Sequence, residues 1–358
     1  MNESLIQIGQ AAAPAHRGDR QGRPEWLRIK LATSSSYHQV RNLVSDLNLH
    51  TVCQEARCPN IYECWGEHRT ATFMILGDVC TRRCGFCAVT SGRPQPGVDP
   101  LEPEHVAEAV AVMGLRHAVI TSVDRDDLPD GGAGHFARVI EAIHRRRPGT
   151  AVEVLTPDFR GVEGALDVVL GAAPEVFSHN VETVPRLYRQ ARPGSRYDRS
   201  LGLLAQASDA ARRAGEASGL ARDGGEAAGR GGEGAGRRDE SVGRGGEGAG
   251  RRDEAVGRRE WSGRIKTGIM VGLGEETEEV HATLADIRAA GVEILTIGQY
   301  LQPTAKHLPV ARWVHPDEFA AYREHALGLG FAHCEAGPLV RSSYHAHEHV
   351  RPPAPASS

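Results

Sequence analysis

Thr72-Phe-Met-Ile-Leu-Gly-Asp-Val-Cys-Thr-Arg-Arg-Cys-Gly-Phe-Cys87 is the stretch on which the fold turns. Its first part, Thr72–Gly77, is a short apolar run ending at a glycine, the pattern of a strand. The second part is Cys80-x3-Cys84-x2-Cys87. The three thiols follow directly on the strand, so they belong at its C-terminal end, where α/β barrels build their active sites. Downstream, strand-like runs recur at Ala118–Val123, Val152–Leu155, Val176–Ser178, Ile265–Val271 and Ile294–Ile297. Between them lie helical patterns: Val106/Ala109/Val110/Met113, Phe136/Val139/Ile140/Ile143 and Val280/Leu284/Ile287. Strands alternating with helices predict parallel pairing and an α/β fold. Six units are too few for a closed eight-stranded barrel, so the expectation is a partial, open (β/α)6 TIM-like barrel. Upstream, Ser36 to Gln39 reads as a capping box ahead of Val40, Leu43, Val44 and Leu47 at helical spacing.

At about 150 residues per domain, 358 residues would suggest two domains. One gap corrects that count. Between Val176 and Ile265, 89 positions separate two strand starts, and within them RGGEGAGRRDESVG at 230–243 is followed by RGGEGAGRRDEAVG at 244–257. From Gly215 to Gly257 there are 15 glycines and 16 charged residues in 43 positions. Such a segment cannot bury enough apolar surface to offset its ordering entropy. It is expected to be a disordered Gly/Arg-rich insertion in one helix-to-strand connection, and one domain suffices. The boundaries expected are a tail at 1–30, an N-terminal extension at 31–71, the barrel at 72–346 with the insertion at 215–257, and a tail at 347–358.

Composition excludes several classes. The 42 basic and 46 acidic residues leave a formal charge of −4, no footprint for nucleic acid. No apolar run approaches the roughly 20 residues that cross a bilayer, and the N-terminus has no secretory pattern, so a cytoplasmic, membrane-free chain is expected. Of the 42 basic residues only Lys30, Lys266 and Lys306 are lysine, a bias of genomic composition more than of chemistry. Six of the seven cysteines fall between Cys53 and Cys87. Reducing compartments keep thiols reduced, so clustering there points to metal or catalysis.

Three thiolates in a short loop can hold three irons of a 4Fe–4S cube and leave the fourth open to an outside ligand. Structural zinc wants four ligands, and no second pair lies at suitable spacing. The earlier set, Cys53-x4-Cys58-x5-Cys64, again offers three thiolates and predicts a second cluster whose remaining ligand comes from elsewhere in the chain. Cys334 could supply it, although a lone cysteine is more often a small buried hydrophobe.

The order of strand, three-cysteine loop and (β/α) units resembles the radical S-adenosylmethionine (SAM) superfamily. More specifically, seven stretches are similar to the lipoyl synthases: Glu55-Ala-Arg-Cys-Pro-Asn-Ile-Tyr-Glu-Cys-Trp65, Ala71–Asp78, Val123–Gly132, Asn180–Thr183, Arg192-Pro-Gly194, Thr296–Pro303 and Arg341-Ser-Ser-Tyr344. The resemblance runs from about residue 25 to 346 and is interrupted only by the insertion. It implies two 4Fe–4S clusters, with SAM consumed as cosubstrate. Cys80, Cys84 and Cys87 would hold the radical-generating cluster. Cys53, Cys58, Cys64 and Ser343 would hold an auxiliary cluster that is dismantled for its sulfur, the hard serine oxygen being a more labile ligand than thiolate. The implied reaction inserts two sulfurs, at carbons 6 and 8, into an octanoyl chain on a lysine of a carrier. The implied partners are the lipoyl domains of 2-oxoacid dehydrogenases and the glycine-cleavage H protein, an electron donor such as ferredoxin or flavodoxin, and an iron–sulfur carrier for cluster repair. The alternatives are another radical SAM sulfur-inserting enzyme, similar to biotin synthase or a methylthiotransferase, and a zinc-stabilised binding protein.

Further residues are expected at the SAM site by the same resemblance. Gly268-Ile-Met-Val-Gly272-Leu-Gly-Glu275 is similar to the superfamily element near the adenine, although a glycine turn explains it equally. Asn180 and Glu182 would meet the ribose, and Thr121, Ser122 and Asp124 the methionine amino group. Arg192 would contact substrate or the methionine carboxylate. The run Asp124, Asp126, Asp127, Asp130 reads as a structural turn ahead of a metal site, and His345, His347 and His349 as incidental.

Overall fold

The computed structural model describes residues 24–27, 34–47, 49–55, 58, 60–65, 71–95, 97–225, 261–343 and 346. The chain opens on helix α1 (Ser35–Asp46), the two-residue strand β1 (His50–Thr51) and the short turns α2 (Val52–Glu55) and α3 (Ile61–Glu63). The cap of α1 is Ser34, whose side chain accepts from the Tyr37 N–H, so the helix begins ahead of the expected Ser36. Three consecutive serines make each a possible cap, and spacing alone could not choose between them.

Then come β2 (Thr72–Ile75), β3 (Val79–Cys80), β4 (Thr90–Ser91), α4 (Glu102–Met113), β5 (His117–Ser122), α5 (Ala133–Arg146), β6 (Ala151–Leu155), α6 (Ala165–Gly171), β7 (Val176–Ser178), α7 (Tyr188–Ala191) and α8 (Tyr197–Gly225). The chain continues through β8 (Arg264–Val271), α9 (Thr277–Ala289), β9 (Ile294–Gln299), α10 (Pro316–Gly328) and β10 (His333–Gly337). One sheet runs β1-β2-β5-β6-β7-β8-β9-β10. Every pair from β2 to β10 is parallel, and β1 lies antiparallel against β2 with His50 opposite Met74. All six expected strands are present. Four more were not foreseen: β1, β3 and β4, each two residues long and too short to show a pattern, and β10, whose His-Cys-Glu-Ala-Gly has no apolar run because it packs at an edge. β3 and β4 pair with each other in a separate small sheet. The order has two ends, and among the described residues no ladder closes them. This is the partial TIM-like barrel.

The helical patterns lie where the spacing put them. Val106, Ala109, Val110 and Met113 of α4, Phe136, Val139, Ile140 and Ile143 of α5, and Val280, Leu284 and Ile287 of α9 are all buried in one core with the sheet residues. α8 reaches Gly225, so the helix extends into the first part of the segment assigned to the insertion. The remainder of the insertion, and His345, His347 and His349, lie outside the described residues. No helix among the described residues is long and apolar enough to cross a membrane.

Candidate active site

Parallel strands deliver their C-terminal ends to one side of the sheet, and a cavity of about 470 Å³ sits there. Its wall brings together Cys80, Cys84 and Cys87 after β2, Thr121 and Ser122 at the end of β5 with Asp124 just beyond it, and Asn180 and Glu182 after β7. Gly268 of β8 and Arg192 complete this group. Cys53, Cys58 and Ser343 line the same cavity, although they come from opposite ends of the chain. Two expected residues do not line it. Cys64 closes α3 and is half-buried. Gly272 (φ +99°) lies in a turn where Glu275 accepts from its N–H at 2.5 Å, so the glycine-turn explanation holds for it.

The cysteine loop is held from several sides. Cys80 Sγ accepts from the Arg82 N–H (3.4 Å) and the Asp124 N–H (3.3 Å). Gly85 N–H donates to Ala191 O (2.8 Å) and Leu308 N–H to Gly85 O (2.9 Å). A Cβ on Gly85 would stand 2.9 Å from the Leu308 side chain and 3.1 Å from Gln190 O, so only glycine admits both neighbours. His307 Nε2 lies 2.9 Å from Cys87 O. Arg82 was not singled out from sequence, where it is one of two adjacent arginines. It is 5% exposed, and it donates to both oxygens of Asp126 (2.9 and 2.8 Å), to Asp158 (2.6 Å) and to Ser195 (2.9 Å). The aspartate run is thus a structural turn, as expected: Asp126 binds Arg82, Asp127 pairs with Arg125, and Asp130 accepts from the Gly132 and Gly134 N–H groups.

The N-terminal extension is pinned to the C-terminal loop. Asn60 Nδ2 donates to Leu339 O at 2.8 Å, and Thr72 Oγ1 donates to Ser343 Oγ at 2.9 Å. Ser342 Oγ donates to Asn180 Oδ1 at 2.9 Å. Gly268 lets the wall stay close, since a Cβ there would meet Thr296 Oγ1 at 2.7 Å and Asn180 Oδ1 at 3.0 Å. Cys334, by contrast, is 1% exposed in β10 and does not line the cavity, in keeping with a buried hydrophobe.

Electrostatics decide what the thiols can do. Burial, then the charge of Asp124, pushes Cys80 up to about 12. Burial pushes Cys84 to about 12 against the pull of Arg192. Burial likewise raises Cys87, Cys58 and Cys53, the last to about 11 with the neighbouring Cys58 contributing. Protonated thiols are poor ligands, and only a strongly positive centre makes thiolates of them. Burial also raises Asp124 and Glu182, offset in part by Arg82 and Arg192 for the first and by Arg192 for the second. Among the described residues no three Cys, His, Asp or Glu side chains converge on one point as a single ion requires. Each iron of a cube takes its own thiolate, so the sulfurs need not meet. Buried thiols around one cavity, three from one set and two from the other, with the Ser343 hydroxyl on the same wall, fit two iron–sulfur clusters, with Cys64 of the second set outside the lining.

Comparison with known proteins points the same way. The family profile "Radical SAM superfamily" matches residues 74–217, and "N-terminal domain of lipoyl synthase of Radical_SAM family" matches residues 8–58. The lipoyl synthase of Rubrobacter xylanophilus is 50% identical over 92% of this chain and 87% of its own. Those of Symbiobacterium thermophilum (48%, 93% and 88%) and Chloroflexus aurantiacus (46%, 97% and 96%) are similarly related. Among solved structures, methylornithine synthase superposes with a TM-score of 0.45 at 11% identity, over 84% of this chain and 81% of that one. Streptococcus suis SuiB bound to precursor peptide SuiA gives 0.48 at 10%, over 89% and 56%. With half its residues shared along nearly its whole length, the chain belongs to the lipoyl synthase family, radical SAM enzymes that use SAM and two 4Fe–4S clusters.

Proposed function

We propose that this chain inserts two sulfur atoms, at carbons 6 and 8, into an octanoyl chain amide-linked to a carrier lysine. The observation that carries the reading is the single cavity lined by Cys80, Cys84 and Cys87 of one set, by Cys53 and Cys58 of the other, and by Ser343. Cys80, Cys84 and Cys87 would hold one cluster, and Cys53, Cys58, Cys64 and Ser343 the other. With SAM, the first cluster supplies a carbon radical able to take hydrogen from unactivated C–H bonds, and the second supplies sulfur.

The chain's own residues prepare that chemistry. The Arg82 and Asp124 N–H groups aim at Cys80 Sγ and favour its thiolate once iron is present. Thr72 donates to Ser343 and so leaves the serine proton free to depart toward the cavity, as an oxygen ligand requires. Asn180, Glu182 and Gly268 form one wall for SAM, and Arg192 a cation for its carboxylate or for substrate. Gly272 supports that wall through its turn. The open side of the barrel admits a carrier-borne acyl arm. The carriers are lipoyl domains of 2-oxoacid dehydrogenases and the glycine-cleavage H protein, in the cytoplasm. Ferredoxin or flavodoxin would donate electrons, and an iron–sulfur carrier would rebuild the second cluster.

The test is reconstituted protein with SAM, a strong reductant and an octanoyl-lysine peptide, followed by mass. Wild type should add two sulfurs, and Ser343→Ala should yield no lipoyl product. Unchanged activity in Ser343→Ala would refute the ligand assignment, and zinc in place of iron after anaerobic purification would refute the reaction.

A further inference from the structure

Behind the cavity wall, buried polar groups form a chain with a fixed direction. His179, directly after β7, is fully buried, with Nδ1 2.8 Å from Thr156 O and Nε2 2.9 Å from Ser200 Oγ. A carbonyl only accepts, so Nδ1 carries the hydrogen. Burial and the charge of Arg192 lower His179 to about 4, so the ring is neutral and Nε2 is an acceptor. Ser200 must then give its one proton to His179. Its oxygen is left to accept from Tyr188 Oη at 2.7 Å. Tyr188, having donated there, turns its lone pairs to Arg192, whose Nη1 donates to it at 3.0 Å and to Asn180 O at 2.7 Å. A protonated His179 would reverse the His179–Ser200 and Ser200–Tyr188 links and turn the Tyr188 hydrogen away from Ser200, toward the guanidinium.

Arg192 is 7% exposed, lines the cavity, and its Nε has no hydrogen-bond partner among the described residues. An arginine this dry with an unused donor is costly unless an anion meets it. We infer that His179, Ser200 and Tyr188 are positioning residues, a one-way relay that fixes the Arg192 guanidinium to hold the carboxylate of the ligand bound in the cavity. The inference rests on the function proposed above, which brings the methionine carboxylate of SAM there. A rigid donor geometry costs little ordering when the ligand arrives, so the relay acts on affinity for the carboxylate and not on the rest of the ligand.

The experiment is anaerobic calorimetric titration of the reconstituted holoenzyme with SAM and with its decarboxylated analogue. Wild type should favour SAM. Tyr188→Phe keeps the ring against Tyr197 and loses only the hydroxyl; Ser200→Ala breaks the relay at its centre. Both should bind SAM about tenfold more weakly and the decarboxylated analogue nearly as wild type does. Ser200→Thr, which keeps a hydroxyl, should restore the preference. Leu204→Ala, fully buried one turn further along α8, should lower the melting temperature and leave the preference intact. Wild-type preference in Tyr188→Phe and Ser200→Ala would overturn the relay, as would equal binding of both ligands by wild type. A holoenzyme that binds neither compound would instead overturn the function on which the relay depends.

Discussion

Replacing Arg82 by methionine removes the one cation that Asp124, Asp126 and Asp158 share. Asp158 is the best gauge of the loss, because its side chain is fully buried. Burial by itself would raise its carboxyl; the Arg82 hydrogen bond and charge outweigh burial and hold it at about 2, against an ordinary 3.8. That depression corresponds to about 2 kcal/mol of stability at neutral pH. A depressed folded value places this stability above the ordinary carboxylate range and removes it as pH falls from about 4 toward 2. Removing Arg82 also strands buried carboxylates, leaving Asp158 only Arg199 at 3.2 Å and the Arg160 N–H at 3.0 Å, and stranding a buried charge costs about 3–5 kcal/mol. Urea unfolding of the metal-free protein at pH 7 should therefore show Arg82→Met destabilised by about 3–5 kcal/mol. Asp158→Asn should cost about 1–3 kcal/mol, since Arg82 keeps its other partners. The double variant should cost less than the two together, by more than about 1 kcal/mol. The gap between wild type and Asp158→Asn should hold from pH 7 to about 5 and narrow below about 4. Losses that add to within about 0.5 kcal/mol would refute the coupling and with it the view that Arg82 is the hub of the cysteine loop.

Other tests follow from the same geometry. Gly268→Ala puts a methyl group 2.7 Å from Thr296 Oγ1 in the cavity wall, and should weaken SAM binding by tenfold or more, read by titration. Gly202→Ala, in α8 with nothing within 4 Å, should instead stabilise by about 0.5–1 kcal/mol and leave turnover unchanged. In metal-free protein, Cys80 and Cys84 at about 12 should be alkylated by iodoacetamide at a rate rising about tenfold per pH unit from 7 to 10, followed by peptide mass; a plateau below pH 9 would contradict the burial argument. Deleting residues 215–257 should leave sulfur insertion within about twofold of wild type, because the buried α8 residues Leu203, Leu204, Ala207 and Ala214 all precede the cut and shortening a connection costs little. A large loss would give the insertion a role.

Sequence alone determined the class of fold and the donor atoms. Six strands and the helices between them were legible because burial on a strand or a helix face leaves a local period, and the two cysteine sets because iron takes thiolates from short loops. The carry-over of Ser343, Arg192, Asn180, Glu182 and Gly268 came from motif resemblance, and all five line the cavity with the thiols. Only the tertiary structure decided the rest. It separated Gly272, a turn former, from Gly268, a wall residue, though both stand in one motif. It added β10, whose polar residues carry no period at a sheet edge. It found Arg82 and the His179–Ser200–Tyr188 relay behind Arg192, whose members are common residues with no local signature and take their roles from partners as far as 113 positions away. Most of all, it joined Thr72 to Ser343 across 271 positions. Local sequence records what a residue is and what its neighbours in the chain allow. Parallel strands carry their ends to one rim, and it is that long-range arrangement that turns two separate cysteine motifs and a distant serine into a single site.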